Sequence, residues 1–274
     1  MSTPRVVLVS GCSSEALLRC ERFASEGCRV YATARRLEAM AGLDAHPLIS
    51  LEKMDVTSDA DVRRVVELIV AQVGRIDIVV NNAGVMGVGP LIEQPMDTVN
   101  AVFDANTYGA LRVAQAAFPH MAARRSGLVV NIGSVVADIA VPWNGTYSAS
   151  KAAVRAMSDI LSMELKPFNI RVMYIAPGSV RSNLSDNQAA RFSLAPTSLY
   201  TTFLPNILQR IHASQGANSL PADAFAKTVV RRVLQKKPPR YMTLGGNSTA
   251  FAVFAWLPKG FVLWYLWRLY SRRT

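Results

Sequence analysis

A doubly wound parallel α/β sheet is the fold that this 274-residue chain predicts, on three observations. Short apolar runs rich in β-branched residues recur along the chain, and longer stretches of helical periodicity separate them. The runs are hydrophobic throughout instead of alternating, so each strand is covered on both faces, as in parallel crossover units. The first run, Arg5-Val6-Val7-Leu8-Val9-Ser10, reads as a buried strand and is too brief for the apolar core of a secretory signal. Helical periodicity over 15–26 leads to strands at 29–34 and near 48–54; a helix over 59–73 leads to a strand at 76–80. A helical pattern over 98–124, a strand at 127–132, a helix over 147–166 and a strand at 170–175 complete the alternation. After Gly178 comes a polar stretch, 179–220, with short apolar turns and no clear strand. A long excursion after a strand end in such folds covers the binding crevice. A helix over 221–235 and a short segment near Tyr241 close one domain, 1–248, without repeats or an inter-domain linker.

Composition narrows the function classes. Half the residues are hydrophobic and 18% are charged, which excludes disorder and collagen as overall descriptions. Cys12, Cys20 and Cys28 lack metal-ligand spacing and a nearby histidine, so no zinc site and no disulfide framework is indicated, and a reduced intracellular compartment is expected. The net charge of +11 is concentrated at one end: Lys227, Arg231, Arg232, Lys236, Lys237, Arg240, Lys259, Arg268, Arg272 and Arg273 fall in a stretch without an acidic residue. Trp256, Trp264 and Trp267, three of the four tryptophans, lie in the same stretch. Basic charge among tryptophans suits a membrane surface better than nucleic acid, for which no reading module is present. A simple membrane span needs about 20 apolar residues, and a central lysine costs roughly 2.5–3.5 kcal/mol. Pro258-Lys259-Gly260 therefore argues for a bent, amphipathic interfacial anchor over 249–274; packing of this tail onto the domain or a subunit neighbour is the alternative.

The chemistry-bearing residues cluster at strand ends. Tyr147 and Lys151 stand one turn apart on one helix face. A phenol with an ordinary pKa of about 10 needs a nearby cation to act as an acid/base near neutrality, and an ammonium four residues on supplies that field. Ser134 ends the strand Leu128-Val129-Val130-Asn131-Ile132, where a hydroxyl reaches the crevice at which parallel sheets bind ligands. Asn81-Asn82-Ala83-Gly84 and Pro177-Gly178 end two further strands, and Asn106 sits inside a helix, a position that disfavours asparagine unless its amide has a task.

These motifs, in this order, resemble the short-chain dehydrogenase/reductase family over about the first 235 residues. The resemblance implies a Rossmann-like fold and an oxidoreductase in which Tyr147 protonates a substrate carbonyl while reduced nicotinamide provides hydride. It further implies that Ser134 orients the carbonyl, that Lys151 lowers the tyrosine pKa and holds the nicotinamide ribose, and that Asn106 keeps a relay water in place. Gly11, Ser13, Ser14, Asp55, Asn82, Ala83, Gly84, Tyr147, Lys151, Pro177 and Gly178 are the implied cofactor contacts, with Asp55 at the adenine; no metal is implied. Tyr31-Ala32-Thr33-Ala34-Arg35-Arg36-Leu37-Glu38 and Leu257-Pro258-Lys259-Gly260 look like the fungal lipid-associated branch that includes acyl-dihydroxyacetone phosphate reductases. That points to an apolar or lipid-like ketone as substrate, a homo-oligomer, and a place on the cytoplasmic face of a membrane or lipid droplet.

NADP is the expected nucleotide. An NAD site would place a carboxylate after the second strand, where this chain has Ala34 followed by Arg35, a guanidinium able to hold a 2′-phosphate. The first turn departs from the family's Gly-x-x-x-Gly-x-Gly: Ser10-Gly11-Cys12-Ser13-Ser14-Glu15-Ala16-Leu17 keeps only Gly11. A carboxylate at Glu15 competes for the anion site, where like charges about 4 Å apart repel by roughly 4 kcal/mol at an effective dielectric of 20. A non-redox isomerase, dehydratase or cyclase using Tyr147 as acid/base is therefore the alternative function.

Overall fold

The structure, a computed structural model, describes residues 3–13, 16–181, 189 and 192–271. Seven parallel strands form one sheet in the order β3-β2-β1-β4-β5-β6-β7. They are β1 Val6–Val9, β2 Arg29–Ala34, β3 Ile49–Lys53, β4 Ile78–Asn81, β5 Gly127–Ile132, β6 Ile170–Pro177 and β7 Tyr241–Leu244. The helices are α1 Ala16–Ser25, α2 Asp59–Val73, α3 Met96–Phe103, α4 Gly109–Ala123, α5 Gly145–Glu164, α6 Leu204–Ile211, α7 Ala222–Val233, α8 Ser248–Phe254 and α9 Lys259–Tyr270. Strand order reverses between β1 and β4, so the loops leaving these two strands flank the switch point at which doubly wound sheets bind ligands.

Alternation along the strands explains the two-sided core. Val7, Val9, Val30, Ala32, Ile78 and Val80 pack on one face with Phe23 of α1 and Phe225, Val229 and Val233 of α7. Val6, Leu8, Val79, Val129 and Val172 pack on the other with Val62, Val66 and Ile69 of α2 and Val113 and Ala117 of α4. Local signals set the ends of α2: the Ser58 side chain accepts from Asp61 N, and Gly74, at φ 75°, terminates the helix.

Two regions differ from or refine the sequence reading. The polar stretch after Gly178 contains α6, a helix that the stretch's composition conceals; residues 182–188, 190 and 191 of that stretch lie outside the described residues. The tail forms α8 and α9, split ahead of Lys259 by Pro258, and it packs onto the domain: Val262 and Leu266 are buried against Val135, Val136, Val141 and Val154. Its other side stays exposed, with Trp256 at 90% and Trp264 at 53%. Among the described residues no helix is long and apolar enough to cross a membrane.

Candidate active site

The loop after β1 is held from below. Gly11 takes φ 69°, and a Cβ there would stand 2.5 Å from Ala83 Cα, so only glycine lets the two strand-end loops touch. Asn82 ties them together: its Nδ2 donates to Ser10 O at 3.1 Å and Gly11 O at 3.0 Å, while Ser10 Oγ accepts from Asn82 N at 3.1 Å. Buried Arg19 donates to Asn82 Oδ1 and lies 5.6 Å from the centre of the Phe225 ring. Ser13 is exposed at the loop, and Leu17 packs against the core of the sheet. Ser14 and Glu15 lie outside the described residues. Arg35 and Arg36 are exposed beyond β2. Asp55 Oδ1 accepts from Thr57 N at 2.9 Å and Thr57 Oγ1 at 2.8 Å, a local turn that fixes this carboxylate after β3. At the far side, Gly178 N donates to Leu244 O at 2.9 Å, clamping the end of β6, Pro177, against β7.

A π-turn, Asp104–Tyr108, joins α3 to α4 and carries Asn106 inward. Such turns are frequent at functional sites. Asn106 Oδ1 accepts from Val85 N at 2.7 Å, and its Nδ2 donates to Val85 O and to Ser150 Oγ, each at 2.9 Å. These bonds make its amide a pin between the β4 loop and α5; the relay-water role implied by resemblance has to be met around them. Gly84 lies between two of the expected residues: a methyl there would stand 3.2 Å from Asn106 Oδ1 and 3.5 Å from Lys151 Nζ.

Lys151 is buried, and its Nζ donates to Ile132 O at 2.8 Å, at the last residue of β5. Burial lowers its pKa from 10.5 to about 8. The ammonium lies 5.8 Å from the centre of the half-buried Tyr147 ring. One residue beyond Gly133, Ser134 is buried and its Oγ accepts from Val136 N at 3.4 Å, capping the short turn Val135–Ala137. Ser134, Lys151, Asn106 and Gly84 are thus linked through the end of β5, while Tyr147 packs against the cluster that contains Val135 and Val136.

Several positioning residues carry no motif signal. Ser150 binds Asn106 and donates to Tyr147 O at 2.8 Å. Trp143 precedes α5 with φ 65°, a costly backbone for a bulky residue, and is held by its Nε1 bond to Tyr270 O at 2.9 Å and by rings of Tyr200, Phe203 and Trp267. Tyr174 fills the space that Gly133 leaves, its hydroxyl accepting from Ser134 N at 3.3 Å. A Cβ at Gly133 would stand 2.0 Å from that hydroxyl oxygen. Gly133→Ala is expected to cost about 3 kcal/mol of stability by overpacking, read as a lower urea midpoint with an unchanged slope. An unchanged midpoint would show that Tyr174 moves aside freely.

A family model for short chain dehydrogenases matches residues 5–191. The chain is 33% identical over 260 residues to the short-chain dehydrogenase ptmH of Penicillium ochrochloron, covering 93% of this chain and 94% of that one. It is 36% identical over 187 residues to the NADPH-dependent 1-acyldihydroxyacetone phosphate reductase of Schizosaccharomyces pombe, covering 67% of this chain and 62% of that protein. A short-chain dehydrogenase from Streptomyces avermitilis superposes with a TM-score of 0.80 at 28% identity, covering 92% of both chains. With the loops at the β1/β4 switch point, the parallel sheet and these relatives together, the chain belongs to the short chain dehydrogenase family of oxidoreductases.

Proposed function

We propose that this chain is an NADPH-dependent reductase of an apolar, lipid-like ketone, acting from the cytoplasmic face of a membrane or lipid droplet. The observation that carries the reading is Lys151: a buried ammonium one turn from Tyr147, fixed to the last carbonyl of β5 beside Asn106 and Gly84. The residues present fit a dinucleotide, because Ser13 and Arg35 are exposed on the loops that leave β1 and β2 beside the switch point of the sheet. Gly11, Ser13, Ser14, Arg35, Asp55, Ala83, Gly84, Pro177 and Gly178 would hold it. When bound, the reduced nicotinamide supplies hydride to the carbonyl carbon. The Ser134 hydroxyl donates to the carbonyl oxygen and orients it. Tyr147 gives that oxygen its phenolic proton, and the Lys151 ammonium stabilises the negative charge left on the phenol. Asn106 keeps the β4 loop and α5 in register through Val85 and Ser150.

The exposed side of the tail supports the membrane setting. Trp256, Phe261, Leu263, Trp264 and Leu269 are exposed beside Lys259 and Arg268 in a stretch without acidic residues, a pattern suited to an anionic headgroup layer. Calorimetric titration tests the reading. NADPH is expected to bind more tightly than NADH, and Arg35→Ser to remove about 10- to 100-fold of that preference, the worth of a charge-assisted phosphate contact. Absence of binding by the wild type, restored in Glu15→Gly, would overturn it in favour of non-redox chemistry at Tyr147.

A further inference from the structure

Arg210 is the anomaly of the substrate-covering segment. It lies in the last turn of α6, where an arginine ordinarily reaches the free helix carbonyls. Among the described residues it donates to none, and no carboxylate lies within ion-pair reach of it. Its Nε is shut off from solvent without a hydrogen-bond partner. The side chain as a whole keeps partial accessibility, so the guanidinium is enclosed by protein yet open on one side.

The helix that carries it packs beside the segment leading into α5. Ile207 and Ile211 of the same helix are buried with Val88 and Trp143, and Tyr200 and Phe203 pack against them. Trp143 leads into α5 four residues ahead of Tyr147 and is bonded to Tyr270 at the end of α9. Burial pushes the Arg210 guanidinium below its usual range, while the phenols of Tyr147 and Tyr270 act in the opposite direction, which puts both within electrostatic reach. A desolvated guanidinium is retained where an anion completes it, and its planar fork matches phosphate or carboxylate oxygens.

Building on the ketone-reductase reading, we infer that Arg210 is the residue that recognises an anionic group, a phosphate or a carboxylate, carried by the substrate near its reacting carbonyl. The apolar walls from Val88, Trp143, Ile207 and Phe203 take the chain of that substrate, and the cation fixes its polar end beside Tyr147. Arg210 is then a specificity residue, with no proton to give or take.

Two measurements on the full chain separate this inference from the reductase reading. In the first, a long-chain alkyl phosphate, the matching alkyl carboxylate and the matching alkanol are titrated into wild type, Arg210→Met and Arg210→Lys, without turnover. One or both anions are expected to bind wild type at least tenfold more tightly than the alkanol, and the better of the two names the group. Arg210→Met should lose that margin and Arg210→Lys should recover part of it. Equal margins in wild type and Arg210→Met overturn the inference, whatever the enzyme's reaction. In the second, NADPH oxidation is followed with long-chain ketones that differ only in the group next to the carbonyl: a phosphate, a carboxylate or a hydroxyl. The anionic-to-neutral ratio of kcat/KM should exceed about 30 in wild type and collapse in Arg210→Met. Absence of NADPH oxidation with all three would sink the reductase reading alone and leave the binding result to decide Arg210.

Discussion

Tyr147→Phe is expected to lower kcat for ketone reduction by about a thousandfold, the usual worth of a positioned general acid being about 10²–10⁴. The substitution removes one hydroxyl and leaves the ring, which packs beside Val135, Val136 and Tyr174. NADPH affinity, followed by fluorescence titration, should fall by no more than about tenfold, as suits the loss of one hydrogen bond. Burst measurements of NADPH oxidation then assign the loss to the chemical step. A variant retaining even a tenth of wild-type kcat would remove Tyr147 from the role of proton donor.

The second large effect concerns pH and stability. Lys151 has a pKa lowered from 10.5 to about 8 by burial, so the folded protein binds this proton more weakly than the unfolded chain does. Below pH 8 both states hold the proton, and the folded state carries the whole cost of a buried ammonium. Between pH 8 and 10.5 the folded state releases it first, so stability rises with pH; above that window both states are neutral. The rise attributable to Lys151 is about 3 kcal/mol. It is measured as the difference in urea unfolding free energy between wild type and Lys151→Met, which cancels groups titrating alike in both. That difference should grow in favour of wild type from pH 8 to 10.5. A difference constant over the window would mean that Lys151 titrates normally. Lys151→Met should also abolish reductase activity, which makes the lysine a residue kept for chemistry at the expense of stability near neutrality.

Most of the sheet was legible because its strands are continuous apolar runs and its helices are long and periodic. The pattern over 59–73 coincides with α2, whose ends carry a serine cap and a glycine, and that over 127–132 coincides with β5. The pattern over 98–124 hides a discontinuity: apolar periodicity does not register the π-turn at Asp104–Tyr108, because one extra residue shifts the phase only locally. α6 escaped because eight residues are too few to establish periodicity within a polar stretch. The Tyr-x-x-x-Lys spacing and the strand-end asparagines and serine were visible as motifs. Tyr174 and Arg210 were not, since what marks them is a hydrogen bond with Ser134 40 residues away in one case and burial without a partner in the other. In the tail, composition gave basic and aromatic character without revealing that Val262 and Leu266, one turn apart, would turn inward.

The π-turn also sets how this chain can change length. Its Gly109 N–H donates to Asp104 O, five residues back, so the segment holds one residue more than ordinary helical spacing would. Deleting a single residue between 104 and 108 would restore that spacing and close the turn that carries Asn106 inward. Asn106 would swing away from Val85 and Ser150, and the β4 loop would lose its tie to the helix of Tyr147 and Lys151. Surface connections elsewhere can gain or lose residues at small entropic cost. In this one helix, the residue count is itself a functional property, and a one-residue deletion there would do more damage than many substitutions.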